Sequence, residues 1–435
     1  MKIAIAGYGI EGEANYRYWT SQPGHDITIV DEALVPKNPL PEGVKTLLGA
    51  GVYEKLDDFD LVVRTAGVSP RKIHTNGKVW SATNEFFEQC PAQIIGVTGT
   101  KGKGTTASLI ASILESAGKK VWLVGNIGVS ALAVLEKISA DDVVVFELSS
   151  FQLWDIERSP HIAVVTIIEA DHLDVHENME EYLAAKARIR QFQGEGDVCV
   201  YHPTNQYSGQ IAVSSNSGSA IRYAVQDDGG VYVRNDYFWV GDGDAKLCAL
   251  DALQVRGVHN QENACAAITA ALQLDVPTSA VEKGLRAFRG LPHRLEFVRE
   301  CEGIAYYNDS YSSAPTATLA AIRSFDRPMV LIVGGTEKGS DFSALFAGMR
   351  QQANLKHILL VGEIRHKLAE KLQSAGVQAP YTVVDAQDMS GILEVARSVA
   401  TSGDVILLSP GCASFDMFKN FSDRGDQFRE YAQSL

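Results

Sequence analysis

Short apolar runs punctuate this chain, and each breaks into a glycine or polar turn before apolar residues return at helical spacing. Lys2-Ile3-Ala4-Ile5-Ala6, Asp26 to Val30, Asp57 to Val63, Ile94 to Val97, Lys120 to Val124, Asp142 to Phe146 and Ala163 to Ile168 read as strands. After about Gly290 the alternation resumes with Ala305-Tyr306-Tyr307, Met329 to Val333, His357 to Val361 and Asp404 to Leu408. Runs without a polar alternate are covered on both faces, which predicts an α/β class with parallel sheets between helices. Between Asn205 and Leu250 the text turns Ser/Gly-rich. There Val231-Tyr232-Val233 and Tyr237-Phe238-Trp239-Val240 surround Asp/Gly turns, predicting a small β insert.

The strand at Ile94 to Val97 enters Thr98-Gly99-Thr100-Lys101-Gly102-Lys103-Gly104-Thr105-Thr106, and a helical segment follows from Ala107 to Leu114. A glycine-rich turn from a strand end to a helix start lets backbone N–H groups wrap an anion, with the helix dipole and Lys103 adding positive character. This reads as a nucleotide-phosphate loop. A second glycine turn, Gly7-Tyr8-Gly9-Ile10-Glu11-Gly12, follows the first strand, and Asp31 ends the next one. That spacing is the dinucleotide fingerprint, which fits pyrophosphate beside a sugar and a UDP-sugar equally well.

Polar residues recur where later strands end. Asn126 lies in Gly125-Asn126-Ile127-Gly128, Glu147 opens Glu147-Leu148-Ser149-Ser150-Phe151-Gln152, and His172 follows the strand at Ala163 to Ile168. An acid at the carboxyl end of a buried strand beside a phosphate loop suits Mg²⁺; capping of the next helix is the alternative for Glu147. His172 is a metal candidate on the same ground. Lys186, among alanines in the helical run from Glu180, reads by itself as a solvated surface lysine. Asn260 and Asn263 sit one turn apart on a helix and could both reach a base or phosphate, unless Asn260 is only a cap.

Composition narrows the classes. The 435 residues carry 46% hydrophobic positions and a net charge of −14, which supplies core without staples and argues against broad nucleic-acid binding. Six scattered cysteines (90, 199, 248, 265, 301, 412) show no metal spacing and suit a reducing compartment. No apolar run approaches the ~20 residues of a membrane span, and the expected setting is cytoplasmic.

Taken in order, Gly96 to Thr106, Gly125 to Gly128, Glu147 to Gln152, Asp171-His172 with Lys186, His259-Asn260 with Asn263, Pro292-His293-Arg294, Asn308-Asp309-Ser310, Gly334-Gly335 with Lys338, and Leu408 to Phe421 resemble the Mur ligase family. The resemblance implies three domains. A Rossmann-like domain over 1–91 binds the UDP precursor, a P-loop ATPase-type domain over 92–290 carries the β insert, and a second Rossmann-like domain over 291–435 binds the amino acid. It implies that D-glutamate is added to UDP-N-acetylmuramoyl-L-alanine through an acyl phosphate made with ATP, in a chain acting as a monomer. Gly99 to Thr106, with Asn260, Asn263, Arg294 and Asp309, would hold ATP. Gly7, Gly9, Ile10, Asp31, Asn126, Ser149 and Gln152 would hold the UDP substrate. Ser313, Lys338, Ser414, Phe415 and Phe421 would hold the amino acid. Lys103, Glu147, His172 and Lys186 would be catalytic, with Lys186 carbamylated and two Mg²⁺ ions held by Glu147, His172, Lys186 and Thr105.

Two departures stand out. Gly104 follows Lys103 where the family usually has a hydroxyl, making Thr105 or a water the substitute, and Tyr311 stands where D-glutamate-adding members usually carry lysine. The competing readings are the same chemistry with another amino acid, an NAD-dependent oxidoreductase using Gly7 to Gly12, a nucleotide-binding regulator without catalysis, and a folyl-polyglutamate synthase.

Overall fold

A computed structural model describes residues 1–215, 217–226, 229–241, 245–336 and 339–435. The chain forms two compact units, one of Met1–Gln254 with Val258–Phe288 and one of Val255–Gly257 with Arg289–Leu435. The first unit holds two parallel sheets. In spatial order one runs Lys45–Leu48, Asp26–Asp31, Lys2–Ala6, Leu61–Arg64, Lys78–Ser81. Its central strand is covered on both faces, and Ile3, Ala4, Ile5 and Ala6 are fully buried, which is why that run is continuously apolar.

The other sheet runs Ser219–Arg222, Val198–Tyr201, Ile162–Val165, Gln93–Thr98, Val143–Glu147, Val121–Gly125. The chain leaves Gln93–Thr98 toward one edge and later returns on its other side at Ile162–Val165. The carboxyl end of Gln93–Thr98 is therefore a switch point, where open sheets leave a crevice. The strand predicted to reach Ile168 ends at Val165. Beyond it, Thr166 turns to the glycine loop: its N–H donates to Thr98 O at 2.9 Å and its hydroxyl to Lys101 O at 2.6 Å.

Only part of the predicted β insert stands apart. Ser219–Arg222 extends the parallel sheet, whereas Val231–Arg234, Tyr237–Val240 and Ala245–Ala249 form a separate antiparallel sheet. The helix Lys103–Ser116 packs on Val258–Leu272 and Thr278–Ala287, with Ser112 Oγ donating to Gly284 O at 2.8 Å.

The second unit carries one mixed sheet in the order Glu296–Cys301, Ile304–Asn308, Val405–Leu408, Met329–Gly334, Leu355–Val361, Tyr381–Val383. Its first pair is antiparallel and the rest parallel. Asn308 pairs with Leu408 and Leu408 with Ile332, so the loops after these strands start side by side. All six cysteines are free thiols, and among the described residues no helix is long and apolar enough to cross a membrane.

Candidate active site

The glycine loop is shaped by what touches it. A Cβ on Gly99 would lie 1.9 Å from Thr166 Oγ1, and one on Gly102 would lie 2.2 Å from Asn263 Oδ1. Gly102 has φ +86° and caps Lys103–Ser116 with no side-chain hydrogen bond, which leaves the first N–H groups of the helix open to an anion. Asn263 Nδ2 donates to Asn260 Oδ1 at 3.2 Å, so both amides meet beside the loop. Asn260 lies inside the helix that begins at Val258 and is not its cap. Gly104 and Thr106 are buried and Thr105 is half-buried, while Lys101 is exposed and pairs with Glu169 at 2.6 Å.

Two lysines converge on the loop. Lys103 Nζ donates to Gly99 O and Thr100 O, both at 3.0 Å, and Lys186 Nζ donates to the same Gly99 O at 2.8 Å. Lys186 is 1% exposed, which corrects the surface reading. Its helix, Met179–Gln191, turns this face onto Thr98 and Gly99, contacts the helix pattern did not reveal. Burial, then the charge of Lys103, pushes the Lys186 amine well below the usual ammonium range, against the opposing pull of Asp171 and Glu147. Tyr182 lies one turn earlier with its ring 4.7 Å from Lys186 Nζ and its hydroxyl 2.9 Å from Thr100 Oγ1.

Glu147 is 4% exposed at the end of its strand, and its backbone carbonyl accepts from Asn126 N at 3.1 Å. It does not cap the next helix. Ser149 does so, through a reciprocal box in which Gln152 N donates to Ser149 Oγ at 3.2 Å and Ser149 N to Gln152 Oε1 at 2.9 Å. Asn126 is exposed. His172 adopts φ +54° in the loop beyond the strand, half-exposed, with its ring 4.9 Å from Phe151. Among the described residues no three His, Cys, Asp or Glu side chains group as metal ligands.

Residues the sequence reading passed over complete this region. His176 is buried, its Nε2 is 3.0 Å from Ser150 Oγ, and its ring stacks on Phe151 and lies 4.1 Å from Trp154. Burial holds its pKa below the ordinary histidine value. Arg64, also buried, ends a strand of the first sheet and grips Asp155 through two bonds of 2.8 Å. An arginine closing an apolar strand was the available signal for it.

At the N-terminal glycine turn, a Cβ on Gly7 would meet Thr65 Oγ1 at 2.3 Å and one on Gly12 would meet Gly7 O at 2.2 Å. Gly9 faces open space, and Ile10 beside it is 78% exposed. Asp31 accepts from Tyr8 N at 2.7 Å and Ala33 N at 2.8 Å, so both its oxygens brace the backbone around the turn.

In the second unit Asp309 is 4% exposed. It accepts from Ser409 Oγ at 2.7 Å and Leu295 N at 3.1 Å, and burial pushes its carboxyl up to about 6. Arg294 is exposed with its guanidinium 3.7 Å from the Tyr311 ring centre. Buried Arg424, another residue without a sequence signal, ties Ser310 to Cys412 O and Ala413 O, which joins the loops after two strands. Ser414 is buried, whereas Ser313, Phe415 and Phe421 are exposed. Lys338 lies outside the described residues.

Comparison with known proteins gives the class. The Mur ligase middle domain matches residues 97–271, and the Mur ligase glutamate ligase domain matches residues 293–412. The chain belongs to the Mur ligase family. Within that family it is 35% identical over 454 residues to UDP-N-acetylmuramoylalanine--D-glutamate ligase of Clostridium kluyveri, covering 100% of this chain and 97% of that protein. Two solved structures share the fold. UDP-N-acetylmuramate-alanine ligase MurC from Thermotoga maritima is 17% identical with TM-score 0.61, covering 100% of this chain and 99% of the other. MurF ligase from Thermotoga maritima in complex with ADP is 15% identical with TM-score 0.58, covering 99% and 95%.

Proposed function

We propose that this chain uses ATP to join D-glutamate to UDP-N-acetylmuramoyl-L-alanine in peptidoglycan precursor synthesis; its Clostridium kluyveri relative is named UDP-N-acetylmuramoylalanine--D-glutamate ligase. We read the parallel sheet of residues 2–81 and the mixed C-terminal sheet as Rossmann-like, in a three-domain chain divided near 91 and 290. The observation that carries the chemistry is the pair of lysines donating to one carbonyl, Gly99 O, at an uncapped helix N-terminus. The reaction must press a carboxylate against a triphosphate. Loop N–H groups and Lys103 stabilise the charge on the transferring phosphoryl group. The muramoyl-alanine carboxylate takes the γ-phosphoryl group and ADP leaves. The amine of D-glutamate then attacks the acyl carbon, an amide forms, and inorganic phosphate departs.

Lys186 fits a carbamate. A buried amine beside Lys103 is costly as a cation, whereas the neutral form can attack CO₂, form an N–C bond and release a proton. The product is an anion facing Lys103. That carbamate with Glu147, His172 and Thr105 would hold Mg²⁺, which when bound neutralises charge between the two anionic reactants. By the family resemblance, Gly99 to Thr106, Asn260, Asn263, Arg294 and Asp309 are the residues that would contact ATP. Gly7, Gly9, Ile10, Asn126, Ser149 and Gln152 would face the UDP substrate, and Ser313, Lys338, Ser414, Phe415 and Phe421 the amino acid. Asp31, which accepts one backbone N–H on each oxygen and keeps further lone pairs, belongs with these UDP-substrate residues.

Phosphate release with ATP, Mg²⁺ and UDP-N-acetylmuramoyl-L-alanine tests the reading, one amino acid at a time. Release is expected with D-glutamate, and Lys103→Ala should lower the rate by about 10²-fold or more. No release with any amino acid would refute it.

A further inference from the structure

We infer that Tyr311 is a positioning residue: its ring holds the Arg294 guanidinium ready for the phosphate chain of a nucleotide. The inference rests on the ligase reading for its ligand and on the second unit for its geometry. Arg294 sits between two residues in left-handed backbone, His293 at φ +63° and Leu295 at φ +44°. Such geometry is costly for branched or bulky residues and persists where surrounding contacts over-determine it. Here Leu295 N donates to buried Asp309 at 3.1 Å, and Tyr311 N donates to His293 O at 3.0 Å. The turn thereby drives Arg294 outward while anchoring Tyr311 beside it.

The guanidinium carbon lies 3.7 Å from the Tyr311 ring centre. The edge of Phe421 meets that same ring at 5.1 Å and 87°, which steadies it. Arg294 N donates to Leu291 O at 3.2 Å, while among the described residues no hydrogen bond or ion pair takes its guanidinium donors. A cation with one face on an aromatic ring keeps its charge and presents its N–H edge, the geometry that suits phosphate oxygens. The family resemblance puts a lysine at position 311. A phenol there supplies no charge of its own, so its contribution passes through the arginine it supports.

Calorimetric titration of the full chain with Mg²⁺–ADP tests this, alongside KM values from phosphate release. Tyr311→Ala should weaken ADP binding and raise the KM for ATP by about three- to tenfold. The KM for UDP-N-acetylmuramoyl-L-alanine should stay within about twofold, and Tyr311→Phe should restore the ADP affinity because it keeps the ring. In the Arg294→Ala background the Tyr311→Ala change should add nothing further. Wild-type ADP affinity in Tyr311→Ala would overturn the inference while leaving the ligase reading intact. Equal losses for every substrate, or an effect that persists without Arg294, would also overturn it. A wild-type chain that binds no ADP would overturn both.

Discussion

Asp309 shows what burial does to one residue. Its carboxyl, held at about 6, sits above the ordinary aspartate value of 3.8 because desolvation outweighs the Ser312 and Ser409 hydroxyls, the Leu295 N–H and the charge of Arg294. Between those values the folded chain keeps a proton that the unfolded chain has released. Stability therefore falls as pH rises through this window, and the ionised group costs about 3 kcal/mol at neutral pH. Asp309→Asn should flatten that segment of the stability profile, read as denaturant midpoints from pH 4 to 7. Matching wild-type and variant profiles would count against the account. Lys186 obeys the same physics with opposite charge, and its helical pattern alone suggested a solvated side chain. Burial of a single polar residue depends on what packs over it.

Among the elements, the loop from Gly99 to Gly102 was legible because glycine and hydroxyl spacing is local chemistry. The reason for Gly102 was not legible: its missing Cβ makes room for Asn263, far along the chain. Gly102→Ala should cost about 1–2 kcal/mol from the left-handed backbone alone, and more from the clash, with nucleotide affinity falling as well. Adding Asn263→Ala should recover the steric part of the lost thermal stability but not the backbone part. Full recovery in the double variant would show that the conformation at φ +86° carries no cost. The Ser149–Gln152 box is a similar case. Its Ser-x-x-Gln spacing is local and in view, yet only the structure shows the two side chains closing a helix start on each other.

For the molecule as a whole, the first unit is held together partly by Arg64, which reaches from the end of a strand of the N-terminal sheet to Asp155 in the turn after the helix Ser150–Leu153. Its side chain is fully buried, so removing its partner leaves an uncompensated cation. Asp155→Ala should destabilise the chain by about 3–5 kcal/mol, seen as a lower denaturant midpoint. Arg64→Met with Asp155→Leu should cost much less than Asp155→Ala alone. A loss within about 0.5 kcal/mol for the single variant, the range of ordinary surface changes, would contradict this.

The strands marked by apolar runs, the α/β class and the glycine turn between strand and helix followed from the chain alone, since each is written in neighbours a few residues apart. Which polar residues became buried, that Lys103 and Lys186 share one carbonyl, and that Arg64 pairs with Asp155 were decided by tertiary structure. Those outcomes depend on the dielectric and the partners that only distant segments, brought together, supply.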